Sequence, residues 1–240
     1  MADRIPPHPA SAAQSSVSAS AAQPESGNIA AMTGTGGKSG AGRVANICVY
    51  CGSGPGRNPA YMKAASTLGK AMAERGIGLV YGGGSLGLMG EVARGVLAAG
   101  GRVTGIIPQF LSGREQMLRD VQELIVVDDM HQRKRLMFER SDAFVALPGG
   151  IGTLEELVEQ LTWAQLGQHQ KPIVLADIDG FWQPFLKLLG HMRDEAFIRQ
   201  GLEVRFVTVD KAEDILPAAE AAASDHPDAS ASTKKIMAQF

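Results

Sequence analysis

Residues 44–90 read VANICVYCGSGPGRNPAYMKAASTLGKAMAERGIGLVYGGGSLGLMG. The stretch opens on an apolar run of strand length, 44–50, and passes through the glycine-rich loop Cys51-Gly52-Ser53-Gly54-Pro55-Gly56. It then enters an amphipathic segment over 58–75, which begins Asn58-Pro59, a capping residue followed by a ring suited to the first helical turn. A second apolar run, 77–81, meets a second glycine loop before another helical pattern over 87–99. Working outward, the alternation continues. Strand-like runs lie at 102–107, 123–127, 143–147, 172–176 and 204–209, with amphipathic segments at 129–141, 153–167, 181–195 and 211–222. Parallel strands need a crossover, and helices between successive strands supply it. The expected fold is therefore α/β, a doubly wound, Rossmann-like parallel β-sheet with helices on both faces in a single domain.

The rest of the 240 residues limits the possibilities. With 23 Lys and Arg against 25 Asp and Glu, the formal net charge is -2, which argues against a nucleic-acid partner. Apolar residues are 45 % and charged residues 20 %, ordinary for a globular protein. No apolar run approaches the roughly 18 residues that cross a bilayer, so no membrane partner is expected. Two cysteines cannot make a disulfide framework, which favours a reducing, cytoplasmic setting. Of residues 1–42, 27 are Ala, Ser, Gly or Pro and none is aromatic, so this stretch is expected to be a disordered tail without the pattern of a secretory signal. Residues 43–217 are expected to form the domain, and 218–240 a fraying helix and flexible tail.

Ligands of doubly wound sheets bind beyond the carboxyl ends of the strands. Three loops there are glycine-rich: 51–56, 82–90 and Pro148-Gly149-Gly150-Ile151-Gly152-Thr153. Glycine lets a backbone approach a ligand closely, and a following helix offers unpaired N–H groups, so together they suggest a phosphate cradle. Ser53, Gly83 and Gly84 are candidate contacts within it. Gly82, Gly84 and Gly87 satisfy G-x-G-x-x-G, yet the next strand ends in Pro108 without the acid a dinucleotide site requires. No Walker motif occurs either. Thr153 and Glu156 have the spacing of a capping box, giving Glu156 a structural role. Leu154, Leu157, Val158 and Leu161 would form the stripe facing the sheet, leaving Glu155 free at the cleft. Arg133 and Lys134 fall in the first turns of their helix, near the same strand ends, and Glu115 in the loop after the third strand can reach the cleft. Cys48 and Cys51 should point to opposite faces of the sheet, and the five histidines have no ligand spacing, so no metal is expected.

The run from Pro148 to Glu156 resembles the P-G-G-x-G-T-x-x-E signature of the Lonely Guy family, the cytokinin riboside 5'-monophosphate phosphoribohydrolases once labelled lysine decarboxylases. Val49-Tyr50-Cys51-Gly52-Ser53, Val80-Tyr81-Gly82-Gly83-Gly84-Ser85, Met130-His131-Gln132-Arg133-Lys134 and Leu161-Thr162-Trp163-Ala164-Gln165-Leu166-Gly167 support the likeness, which covers about residues 44–216. The resemblance implies hydrolysis of the N-glycosidic bond of a nucleoside 5'-monophosphate to free base and ribose 5-phosphate, without a cofactor. It implies that Arg133 and Glu155 are catalytic. Glu115, Lys134, Gly149, Gly150, Ile151, Gly152, Thr153, Leu154 and Thr162 would bind substrate. It also implies a homodimer, or a higher homo-oligomer, whose sites draw on both chains. A broader AMP or purine nucleotide nucleosidase and a non-catalytic nucleotide carrier are the alternatives.

Overall fold

The computed structural model describes residues 43–112, 118, 120–198 and 203–225; residues 1–42, the end from 226 onward and Glu115 lie outside the described residues. Each expected strand is present: β1 (Asn46–Tyr50), β2 (Gly78–Tyr81), β3 (Val103–Pro108), β4 (Glu123–Val127), β5 (Ala143–Ala146), β6 (Ile173–Ala176) and β7 (Val207–Val209). Among the described residues they form one sheet in the order β4-β3-β2-β1-β5-β6-β7, with every neighbouring pair parallel. The chain winds outward from β1 to β4, then returns to lay β5 against the free side of β1, pairing Ile47 with Ala143 and Tyr50 with Ala146. The switch point between β1 and β5 opens a crevice at their carboxyl ends.

Side-chain alternation along the strands divides the core in two. Ile47, Val49, Leu79, Tyr81, Val145 and Val174 pack toward α1 (Pro59–Glu74), α2 (Gly87–Ala98) and α7 (Ile215–Ser224). Cys48, Tyr50, Val80, Phe144 and Leu175 pack toward α4 (Met130–Glu139), α5 (Ile151–Gln165) and α6 (Gln183–Asp194). Cys51 belongs to the first cluster and Cys48 to the second, so the two thiols lie on opposite faces, as their spacing requires. The remaining helix, α3 (Gln109–Ser112), is a single turn after β3 that the sequence pattern does not signal. At α1, Asn58 caps the helix by accepting from the Ala60 N–H at 2.9 Å, with Pro59 behind it. Among the described residues no helix is long and apolar enough to cross a membrane.

The largest departure from expectation is at α5. The helix begins at Ile151 with Gly150 as its cap, two residues before Thr153, and no side chain closes its first turn. Glu156 therefore makes no capping box. The buried face is Thr153, Glu156, Leu157, Gln160 and Leu161, while Val158 is 41 % exposed. The stripe is turned from the most apolar line of the helix toward a polar flank, on which Glu156 pairs with Arg133.

Candidate active site

Three glycine loops meet at the switch point. The Gly52 N–H donates to the Pro148 carbonyl at 3.1 Å, tying the loop after β1 to the loop after β5. The Met89 N–H donates to the Gly52 carbonyl at 3.2 Å, drawing the start of α2 onto the same loop. Gly87 has φ +56, and a methyl there would collide with the backbone of Ser53 and Gly54, so only glycine lets the loops approach this closely. The first helical bond of α5 runs from the Leu154 N–H to the Gly150 carbonyl at 3.0 Å. The N–H groups of Ile151, Gly152 and Thr153 thus have no partner within the helix, and Gly150, Ile151 and Gly152 are exposed. Such a helix start, beside further glycine backbone, suits an anion.

Arg133 and Lys134 lie on α4, whose first turn is fixed by the Asp129 side chain accepting from the Gln132 N–H at 2.8 Å. Arg133 is only 5 % exposed. Its Nη2 lies 3.7 Å from Oε1 of Glu156, itself 7 % exposed, and its Nη1 makes a sulfur contact of 3.8 Å to Met130. Nε is buried without a hydrogen-bond partner among the described residues. Gly82 borders this guanidinium so closely that a methyl on it would collide with Nη2. Burial pushes the Glu156 carboxyl up to about 7; Arg133 opposes the rise and the neighbouring Glu155 adds to it.

At the next residue of α4, the Lys134 Nζ donates to Oε1 of Glu155 at 2.6 Å and to Oε1 of Glu159 at 2.9 Å. Burial alone would lower the pKa of this ammonium, but the two carboxylate hydrogen bonds outweigh it and the pKa is raised. The Glu155 side chain is 52 % exposed, so the carboxylate stands at the mouth of the cleft with Lys134 as its partner. Thr153 is buried behind the glycines, and Leu154 packs against the second core cluster. Thr162 is exposed two turns below Glu155, its hydroxyl donating to the Val158 carbonyl at 2.7 Å. Ser53 is exposed, and Gly83 and Gly84 are buried. The structure thus gathers Arg133, Lys134, Glu155, Thr153 and the glycines at one end of the sheet. Glu159 escapes a reading of the sequence, although its place four residues after Glu155 puts both acids on one helical face.

A family model described as "Possible lysine decarboxylase" matches residues 89–219. The chain is 52 % identical over 158 residues to a cytokinin riboside 5'-monophosphate phosphoribohydrolase of Oryza sativa subsp. japonica, covering 66 % of this chain and 65 % of that protein. It is 51 % identical over 156 residues to a protein of the same description from Arabidopsis thaliana, covering 65 % of this chain and 72 % of that one. The chain belongs to this family. Among solved structures, the molybdenum cofactor carrier protein of Chlamydomonas reinhardtii aligns with a TM-score of 0.54 at 27 % identity, covering 75 % of this chain and 98 % of that one. The arrangement of glycine loops around the switch point is therefore set in a phosphoribohydrolase-family domain.

Proposed function

We propose that this protein hydrolyses the N-glycosidic bond of cytokinin, that is N6-substituted adenine, riboside 5'-monophosphates, releasing the free base and ribose 5-phosphate. Family membership supports the reaction class. The observation that carries the reading is the buried, under-partnered Arg133, paired with Glu156, next in sequence to the Lys134 that holds the exposed carboxylate of Glu155, together with an open helix start. The phosphate would sit on the backbone N–H groups of residues 151–153 and the neighbouring glycines, and this remote binding would orient the ribose. As the C1'–N bond breaks, its electron pair leaves with the base and positive charge develops on the sugar. Glu155 would stabilise that charge and take a proton from the attacking water, whose oxygen bonds to C1'; the departing base takes up a proton in turn. Arg133 would hold the substrate, with Glu156 fixing the guanidinium, and Lys134 and Thr162 would contribute binding.

The same proposal includes a homodimer. On α5, Ile151 is 82 % exposed and Leu166 65 % exposed, and with Val158 they line the face that also carries Glu155 and Thr162. A second copy packed there would cover apolar surface and close the cleft. A cytoplasmic location is supported by the two unpaired, buried thiols.

Chromatographic detection of base and sugar phosphate tests the reading on a panel of isopentenyladenosine monophosphate, AMP and GMP, with size-exclusion chromatography on the same samples. Release fastest from the N6-substituted nucleotide is expected, and binding without release from all three would overturn the assignment. Glu155→Ala should lower turnover by roughly 10² to 10⁴-fold while leaving the fold intact.

A further inference from the structure

Lys134 is the junction of the site. Its ammonium is shared between two carboxylates of one helix, Glu155 at 2.6 Å and Glu159 at 2.9 Å, and its side chain is only 13 % exposed. A clamp joining α4 to α5 would need one of these acids. The second carries a cost, because Oε2 of Glu159 is buried and has no hydrogen-bond partner among the described residues. With two carboxylates on one ammonium, the group keeps a net charge of -1. With Glu159 absent it would be neutral, and Lys134 would belong to Glu155 alone.

We infer that Glu159 is a positioning residue for the reaction: by holding part of the Lys134 ammonium, it leaves Glu155 with negative charge to present to the sugar. The inference rests on the proposed phosphoribohydrolase reading. Because Glu155 is the more exposed of the two acids, it is the one able to turn from Lys134 toward a ligand, while Glu159 stays behind to hold the cation. The charged and titratable groups that act on this junction are Glu156 on α5, itself paired with Arg133 on α4, and the Tyr50 phenol on β1. Lys134 is the enclosed member of the junction, its side chain 13 % exposed, so its ammonium acts strongly on whichever carboxylate it holds and its division between two acids matters to catalysis.

The test is steady-state kinetics on isopentenyladenosine monophosphate with Glu159→Gln, which keeps an oxygen acceptor for Lys134 and loses only the charge. We expect kcat to fall about 5- to 20-fold, KM to stay level or drop, and the acidic limb of the kcat profile to move to lower pH as Glu155 becomes the sole anionic partner of Lys134. Glu159→Met, of similar length and with no orphaned oxygen, should fold at least as well and lose as much kcat. Glu159→Asp, which keeps the charge, should recover most of it. In an active parent enzyme, folded Gln and Met variants with kcat within twofold of the parent, or a loss confined to KM, would overturn the role of Glu159 and leave the proposed reaction standing. A parent that releases no base from any monophosphate overturns both.

Discussion

Arg133 and Glu156 face each other across the floor of the cleft, Nη2 to Oε1 3.7 Å apart, with both side chains less than a tenth exposed. Each of these two groups, shut away from water, is compensated in part by the other. Removing one partner from a buried pair leaves the other uncompensated and costs about 3–5 kcal/mol. Glu156→Ala is expected to destabilise by that order in urea titrations, well beyond the roughly 1 kcal/mol that loss of a helix cap would cost. Glu156→Gln, which keeps a polar oxygen near the guanidinium, should cost less.

The same pair gives stability a pH dependence of definite sign. Glu156 is raised from its ordinary 4.5 to about 7, so between those values the unfolded chain has lost a proton that the folded chain keeps. Its contribution is greatest below pH 4.5, declines as pH rises and is gone above about 7. His169 works the other way. Burial lowers it from 6.5 to about 4, so its contribution is full above 6.5 and is lost as pH falls through 4. Subtracting the stability of Glu156→Gln from that of the parent, measured by urea unfolding from pH 5 to pH 8, isolates the first effect. The difference should shift against the parent as pH rises and level off above about 7; a difference constant across the range would contradict it.

Gly82 borders the same nitrogen of Arg133. A methyl there would occupy the position of Nη2, and no neighbouring backbone stands in the way. Gly82→Ala is therefore expected to displace a guanidinium rather than to break a loop. A misplacement of about 1 Å in a catalytic group can cost 10²-fold in rate. Loss of kcat/KM of about 10- to 10²-fold is expected, with most of the melting temperature retained. Equal losses in a Gly82→Ala, Arg133→Ala double variant and in Arg133→Ala alone would place the effect on the arginine.

The sheet was legible because every strand is a short apolar run bounded by glycine, proline or a polar turn, and burial on both faces leaves no other place for 46–50 or 173–176. The start of α5 was not. Thr153 and Glu156 have capping-box spacing, but Gly150 is already the cap and the fold uses Glu156 elsewhere. Apolar periodicity then selected Val158 for the core, where the structure buries Thr153, Glu156 and Gln160 instead. Hydrophobic pattern finds the side of a helix that meets a sheet. It cannot find a side that meets a buried arginine on another helix, because that contact is polar and depends on α4, 20 or so residues away in sequence. For the same reason Arg133 and Lys134 could be placed near the cleft from their position in α4, but not their division between different carboxylates.

Gln160 gives the most direct test of that polar flank. Its residue exposure is 0 %, and neither its amide oxygen nor its amide nitrogen has a hydrogen-bond partner among the described residues. Its main-chain carbonyl is separately used, lying 3.2 Å from Nε2 of His169, so a change of side chain leaves that contact in place. A buried polar group without a partner costs about 1–3 kcal/mol. Gln160→Met, close in length and free of hydrogen-bonding demand, should therefore raise stability by about that amount in urea unfolding at constant pH, with kcat unchanged because the residue lies on the buried face of α5, away from the exposed flank where Glu155 stands. A fall in stability would mean that the amide is satisfied by buried water, since such a water makes about three hydrogen bonds and is costly to displace. Gln160→Glu separates the two cases further: a carboxylate there should lower stability above neutral pH in either event, and far more if the surroundings are dry.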